Sequence, residues 1–341
     1  MTDTLPRTGP TDTGVALPLR VALLRRHGRA SQAYSATYQE GIEHFGDEHG
    51  FIAYKQVGRS TLVLSDPIAP PDRAAELISR FLEKHRDVSF WYLSGSTAKI
   101  LAARGFTINA MGHDTIIDLK TYTFEGGKKE TLRRGINRMV KRGFTTREST
   151  LTEVGLDKVR AMSDAWRQSR TIRNDEVAFL NRPLVLMEEP DVRRFFTFDG
   201  EGKLVAFGFF DPLYEGGEIV GYMSQHNRHL QEADSMVHFG IKRVAIETFQ
   251  KEGRKVLNLG LALLADVLEE QEFKANSSWI TARYFNFSFN NSLVNRYIYP
   301  LKGILAHRRA FRGEQQWVYF AFNRRPVLPR ILKMMRASKV F

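Results

Sequence analysis

The 341-residue chain is 43% hydrophobic and 26% charged, with 50 Lys and Arg against 38 Asp and Glu and a net charge of +12. That balance supports a folded core and excludes a disordered chain, while the lack of cysteine excludes disulfide stapling, a thiolate zinc site and a thiol nucleophile. No apolar run approaches the roughly 18 residues of a membrane span, and residues 1–18 read as a loose polar tail, so a soluble cytoplasmic protein is expected.

A helical stretch is expected around Arg29–Phe45, followed by short strands at Phe51–Lys55 and Ser60–Ser65 joined by a turn at Gly58. Pro67, Pro70 and Pro71 end the second strand. Asp72 then caps a helix over Arg73–His85 that carries Leu77, Ile78, Phe81 and Leu82 on one face. A strand at Val88–Leu93, a short helix ending at Arg104-Gly105 and a strand at His113–Leu119 complete a mixed α/β order. The next helix, Lys128–Arg142, sets Leu132, Ile136, Met139 and Val140 in one stripe and spreads cations over the rest, with Gly143 as its C-cap.

The order then recurs. Arg193–Asp199 and Leu204–Asp211 pair around Gly200-Glu201-Gly202, and Glu218–Ser224 adds a strand. Ser235–Gln250 is a helix, Lys255–Leu264 a buried strand, and Gln316–Phe322 a late one. Between them, Phe285, Phe287 and Phe289 alternate as strand residues do, either as core or as the lining of an acyl-chain tunnel. Asp66-Pro67 and Asp211-Pro212 each stand at an expected strand end, a weak internal duplication with a period of about 145 residues. Duplication alone does not assign a function.

The positive charge is uneven. Residues 120–150 sum to +6 and residues 296–341 to +10, so everything else sums to −4. Two basic patches on a mildly acidic body suit an anionic partner such as RNA, an anionic lipid surface or a phosphorylated cofactor. The run Arg330–Lys339 reads either as an interfacial basic amphipathic helix or as a cap packed on the second repeat. Standard catalytic strings (a Walker loop, GxGxxG after a strand, HExxH, GxSxG) are missing. His226 and His229 fall in an expected loop beside Arg228, a poor place for a dication, so no metal is expected.

A more specific pattern spans Gly105–Gly143: Gly105-Phe106, Gly112, Asp114, Asp118-Leu119, Gly127-Lys128-Lys129, Arg133, Asn137-Arg138 and Gly143-Phe144. In this spacing the chain resembles the phosphatidylglycerol lysyltransferase C-terminal domain family, long catalogued as the domain of unknown function DUF2156. Ala53-Tyr54, Ser65-Asp66-Pro67 and Asn258-Leu259-Gly260-Leu261-Ala262 resemble its flanking strand ends, so the resemblance covers roughly residues 30–325. It implies an α/β fold of two tandem GNAT-like acyltransferase modules, each a mixed, mostly antiparallel sheet flanked by helices. Residues 19–125 would form the first module, 126–145 a basic connecting helix, 146–325 the second and catalytic module, and 326–341 a basic amphipathic segment. Many members carry an N-terminal membrane flippase region, and this chain reads as a divergent soluble member without it.

The resemblance also implies an enzyme that moves an aminoacyl group from aminoacyl-tRNA to a lipid or small-molecule acceptor. Its co-substrate would be the charged tRNA, with no other cofactor, and it would work in the cytoplasm or peripherally at the inner face of the membrane. An aminoacyl ester is already activated, so the site must supply positioning, a base for the acceptor and a cation for the developing oxyanion. Candidate catalytic residues are His226, which titrates near neutrality, Asp211 and Arg308. Arg312, Asn291 and Tyr222 are candidate substrate contacts. Lys128, Lys129, Arg133, Arg134, Arg138 and Lys141 would hold phosphates of tRNA or of an anionic phospholipid, with no sequence-specific DNA reading.

The match is uneven at the site. Arg308 stands where the family's Phe-Lys-x-Lys-Phe places its first Lys, and Ala310 replaces the second; an Arg keeps the charge but cannot deprotonate. The family's acidic and Arg residues are missing around Gly221-Tyr222-Met223-Ser224, so lysine is not implied as the donated group. One alternative is an N-acyltransferase of amino-lipid synthesis that uses acyl-CoA or acyl-carrier protein. Neither Pro67–Asp72 nor Gln225–Asp234 carries the Gly-rich pyrophosphate loop this would need. Another is a non-catalytic module that binds RNA or anionic membranes.

Overall fold

The computed structural model describes residues 14–170, 176–324 and 327–340. The strands of the first half are β1 (Glu43–Asp47), β2 (Gly50–Val57), β3 (Ser60–Ile68), β4 (Val88–Leu93) and β5 (Thr107–Asp118). Those of the second are β6 (Thr145–Glu148), β7 (Arg193–Phe198), β8 (Leu204–Glu215), β9 (Glu218–His229), β10 (Val256–Leu263) and β11 (Glu314–Phe322). Helices α1 (Leu17–His27), α2 (Ala33–Tyr38), α3 (Ala74–Lys84), α4 (Gly95–Ala102) and α5 (Glu130–Lys141) accompany the first half. The others are α6 (Leu151–Val154), α7 (Leu156–Gln168), α8 (Val237–Lys251), α9 (Trp279–Asn290), α10 (Leu301–Arg309) and α11 (Leu328–Ala337).

These strands form one sheet in the order β1-β2-β3-β4-β11-β5-β10-β9-β8-β7-β6. Two neighbouring pairs are parallel, β3 with β4 and β9 with β10; the rest are antiparallel. The two sheets implied by the resemblance are thus fused. Strand β11, late in the chain, inserts between β4 and β5, and β5 pairs with β10 of the other half. A stack of Trp91 on Phe320, 5.0 Å between rings, seals the first of these junctions. Apolar residues at helical spacing dock the flanking helices: Leu77, Ile78 and Phe81 of α3 are buried, as are Leu132, Ile136 and Met139 of α5.

Several expectations change. The helix expected over 29–45 is α2 followed by strand β1, with α1 ahead of it, and residues 1–13 of the expected tail lie outside the described residues. The Phe-rich segment is helix α9, not a strand. Ser278 caps it by accepting from the Thr281 N–H at 3.4 Å, and Phe285 and Phe289 are buried at helical spacing while Phe287 is exposed. Strand β8 continues through Asp211-Pro212 to Glu215, so that pair marks no strand end. Strand β9 reaches His229, so the two histidines lie in a strand and not in a loop. Helix α11 packs on β2 and β3 of the first half, with Arg330 paired to Asp87 at 2.6 Å, and meets the second repeat at its C-cap, where the Ser338 carbonyl accepts the Ala178 N–H at 3.0 Å.

Candidate active site

Parallel strands β9 and β10 pair only from Gly221 to Met223 against Val256 to Asn258. Beyond that point β9 runs on to His229 beside β8, while β10 shifts register and follows β5, which leaves a gap between them. Arg308 of α10 enters this gap. Its Nε donates to the Leu259 carbonyl at 3.1 Å and its guanidinium also donates to the Leu261 carbonyl. Gly260 lies under it with φ +87°, and a Cβ there would stand 3.1 Å from a terminal guanidinium nitrogen. A side chain at 260 would meet both backbone strain and the arginine.

Beside Arg308 is a buried group of basic side chains. Lys242 of α8 is 3% exposed, and its Nζ donates to Asn227 Oδ1 at 2.9 Å. Asn227 in turn donates to Ser224 Oγ at 3.0 Å. His229 and His238 share a hydrogen bond of 3.0 Å, and His307 stacks on Phe239 with rings 4.4 Å apart. Desolvation, reinforced by Arg308, pushes the Lys242 ammonium down to about 7. Burial and then the neighbouring Lys242 hold His238 and His307 well below the usual histidine range. Among the described residues none of Lys242, Arg308, His238 and His307 forms an ion pair with a carboxylate, and His238 Nδ1 and His307 Nε2 are buried without a hydrogen-bond partner. Cations without a counter-charge create a strong demand for an anion.

The signature residues brace the gap from the centre of the sheet. Asp114 of β5 accepts from Tyr92 Oη at 2.9 Å, Ser31 Oγ at 2.6 Å and Asn258 Nδ2 at 2.7 Å. Asn258 Oδ1 accepts the Gly260 N–H at 2.7 Å, so the carboxylate fixes the loop-like bend of β10 through one side chain. Burial and the Asp114 charge together push the Tyr92 hydroxyl well up.

His226 and Asp211 are not part of this group. Gly208 and Phe210 of β8 face Ile241 and Phe249 of α8, so Phe209 and Asp211 point to the other side of the sheet. His226 pairs with Phe209 and shares its face. Asp211 is buried and accepts from Arg182 at 2.8 Å, and Arg182 also bonds Glu189. Burial raises the Asp211 carboxyl despite that arginine. His226 is buried too, held well below the usual histidine range by desolvation and by Arg182 and Arg228. Tyr222 is core, stacked 4.3 Å from Phe249. Asn291 forms a turn, its Oδ1 accepting from the Leu293 N–H at 2.8 Å. Arg312 is exposed and donates to the Lys128 carbonyl at 3.0 Å, which ties the end of α10 to the turn before α5.

The six cations around α5 divide by environment. Lys129 and Arg133 donate to carbonyls of the preceding loop, Thr123 for Lys129 and Phe124 and Gly126 for Arg133. Arg134 pairs with Glu130 at 2.7 Å and Arg138 with Asp234 at 3.1 Å. Lys128 and Lys141 are exposed and outside any ion pair among the described residues. Lys242 escapes the reading of the sequence; its signal is the spacing His238–Lys242–Ile246, which puts a lysine on the buried face of an apolar helix. Among the described residues no three His, Asp or Glu side chains converge as a metal site, and no helix is long and apolar enough to cross a membrane.

Comparison with known proteins adds a family. The family model described as phosphatidylglycerol lysyltransferase, C-terminal, matches residues 21–322. A phosphatidylglycerol lysyltransferase of Bacillus subtilis is 25% identical over 285 residues, which cover 82% of this chain and 31% of that protein. One from Staphylococcus epidermidis is 24% identical over 250 residues, 69% of this chain and 29% of that one. The chain therefore spans about a third of the length of the curated relatives it matches. Among solved structures, L-PGS from Bacillus licheniformis superposes with a TM-score of 0.75 at 20% identity, covering 94% of this chain and 95% of that one. FemX superposes with a TM-score of 0.51 at 10% identity, covering 94% and 99%. These structures share the fold.

Proposed function

The chain belongs to the phosphatidylglycerol lysyltransferase C-terminal family, and from that premise we propose that it is an acyltransferase carrying an aminoacyl group from aminoacyl-tRNA to a lipid or small acceptor. The observation that carries this reading is the Arg308 guanidinium held in the β9–β10 gap beside the buried, counter-charge-free Lys242. In the reaction, the acceptor oxygen or nitrogen attacks the ester carbonyl and loses its proton. The new C–O or C–N bond forms, the ester bond to the ribose breaks, and the ribose oxygen takes up a proton. Arg308 faces the oxyanion of the intermediate, where a fixed cation in a water-poor site stabilises charge strongly. Lys242 takes the proton, because an ε-amine at about 7 is partly neutral at physiological pH. The exposed Lys128 and Lys141, with Arg312 adjoining, contact carrier phosphates.

An acyl-CoA donor fits less well. A pantetheine arm needs free backbone partners along a strand, and the Leu259 and Leu261 carbonyls at the gap are already satisfied by Arg308. The test is purified protein incubated with total charged tRNA, labelled in the amino acid, and a lipid extract. Label passing to the lipid phase or to a small acceptor supports the proposal. Transfer that requires acyl-CoA or acyl-carrier protein and ignores tRNA would overturn it.

A further inference from the structure

Helix α9 carries large apolar side chains on its exposed side as well as its buried one, which an ordinary amphipathic surface helix does not. Phe285 and Phe289 fill the inner face, Phe285 lying 5.5 Å from Phe320. On the outer face Trp279, Ile280, Tyr284 and Phe287 form one stripe at helical spacing, with Trp279 68% and Phe287 65% exposed. The stripe continues past the helix through Leu293, Tyr297 and Ile298, all exposed. This continuation is held in place: Asn295 Nδ2 donates to the Phe289 carbonyl at 2.7 Å, and its Oδ1 accepts the Lys302 N–H at 2.9 Å. A monomer rarely leaves so large a contiguous apolar surface in water without a partner for it.

Charge selects the partner. From Phe273 to Gly313 the sequence holds seven Lys and Arg and no Asp or Glu. Lys274, Arg283, Arg296 and Lys302 are exposed around the stripe, and among the described residues none has an ion pair. Aromatic side chains mixed with unpaired cations and aliphatic tips match the interface of an anionic bilayer, where rings sit at headgroup depth and cations meet phosphates. A second copy fits poorly, since a two-fold contact would set these like charges against each other. RNA would use the rings but leave Ile280, Leu293 and Ile298 without a partner.

We propose that the outer face of α9 and the segment to Ile298 dock this protein on an anionic phospholipid bilayer. The purpose of the docking rests on the lipid-acceptor reading above, because Pro300 leads directly from this surface into α10, the helix that carries Arg308 into the gap. A headgroup drawn from the docked bilayer would approach the gap along α10.

The experiment is co-sedimentation of the whole protein with vesicles of phosphatidylcholine containing about one-third phosphatidylglycerol, against phosphatidylcholine alone. Binding is expected to the anionic vesicles, falling with salt, and accompanied by a blue shift of Trp279 fluorescence that Trp279→Phe removes. Combined Trp279→Ser, Ile280→Ser and Phe287→Ser should weaken the partition roughly tenfold or more. Combined Arg283→Gln and Arg296→Gln should weaken it about fivefold per charge removed. Equal binding to neutral vesicles, or either variant binding like the parent, overturns the proposal. So does a parent dimer that the apolar variant splits, or tRNA binding that falls with the same substitutions while vesicle binding does not. The vesicle assay itself contains no tRNA or acyl donor, so the two readings fail separately. Intact transfer to detergent-dispersed lipid with unaltered vesicle binding in the variants sinks the docking surface alone; docking without any transfer sinks the chemistry alone.

Discussion

The two charged centres of the second half lie on opposite faces of strands β8 and β9 and are built on opposite plans. On one face Arg182 is buried between Asp211 and Glu189, and Arg228 is paired with Glu176 at 2.5 Å. Both of these guanidinium groups have their carboxylates. On the other face Lys242 and Arg308 bond amide and carbonyl oxygens and, among the described residues, form no ion pair with a carboxylate. A buried pair that is complete holds a fold in one arrangement, though replacing it whole with apolar groups often costs little. A buried cation left without its counter-charge is costly to the fold and is retained where a ligand supplies the missing charge. On the proposal above, the first centre serves the fold and the second receives an anion.

The largest effect should come from breaking the complete centre. Asp211→Ala leaves Arg182 with Glu189 alone and is expected to destabilise the fold by about 3–5 kcal/mol, read as a lower denaturant midpoint. Transfer per folded molecule should stay near the parent value at a temperature where the variant is folded. A variant of parental stability that has lost turnover would move Asp211 back into the chemistry and erase the contrast. Next comes the open centre. Arg308→Ala should lower the transfer rate by about 10²–10³, as losing one oxyanion donor does, with partial return in Arg308→Lys. A loss confined to binding of the carrier, with single-turnover chemistry unchanged, would reassign Arg308 to positioning.

The contrast also shows what the sequence can and cannot reveal. Most of the strands and the basic helix are readable because each rests on local spacing: Leu77, Ile78 and Phe81 on α3, or Leu132, Ile136 and Met139 on α5, mark their buried faces without reference to anything distant. Arg308 stands out in the sequence through the resemblance. His226 and Asp211 look like site residues because they are near each other along the strand pair and carry the right chemistry. Their side of the sheet depends on a register shift in β9 opposite Phe209 and Phe210, which no local pattern announces. Lys242 escapes for the complementary reason. In a helix that also carries Lys251 and Arg243, one lysine among others looks like surface, and only the fold shows which one is buried. The fused sheet is equally hidden, since inserting β11 between β4 and β5 pairs residues about 200 positions apart.

Lys242 gives a sharper measurement of the same contrast, because its two effects have opposite signs. Lys242→Met should lower transfer by about 10²-fold, within the usual range for a lost general base, and should raise stability by about 1–4 kcal/mol near neutral pH. The pH course follows from the lowered folded-state value of about 7. Below that value both folded and unfolded chains carry the ammonium, so the burial penalty is present in full. Above it the folded chain sheds the proton while the unfolded chain keeps it up to the ordinary lysine range, and stability rises with pH. The gain of the variant over its parent should therefore be greatest at and below about pH 7 and shrink as pH rises. A gain that is flat with pH would mean that Lys242 is not buried as an ammonium, and the open centre would lose half its charge.

The smallest effect concerns the solvated cations, which belong to neither buried centre. Lys128 and Lys141 stand exposed and outside any ion pair among the described residues, whereas Lys129 and Arg133 spend their donors on loop carbonyls. Combined Lys128→Gln and Lys141→Gln should weaken tRNA binding and reduce the slope of log affinity against log salt by about 1.4, near 0.7 for each single-strand phosphate that is no longer neutralised. Lys129→Gln with Arg133→Gln should instead lower the melting temperature, since two groups of loop carbonyls are left without their donors. The pair of outcomes separates phosphate-binding cations from loop staples along one short basic segment. If the two variants behave alike in the salt titration, charge count alone governs this patch, and the division by environment that distinguishes the two buried centres does not extend to the surface.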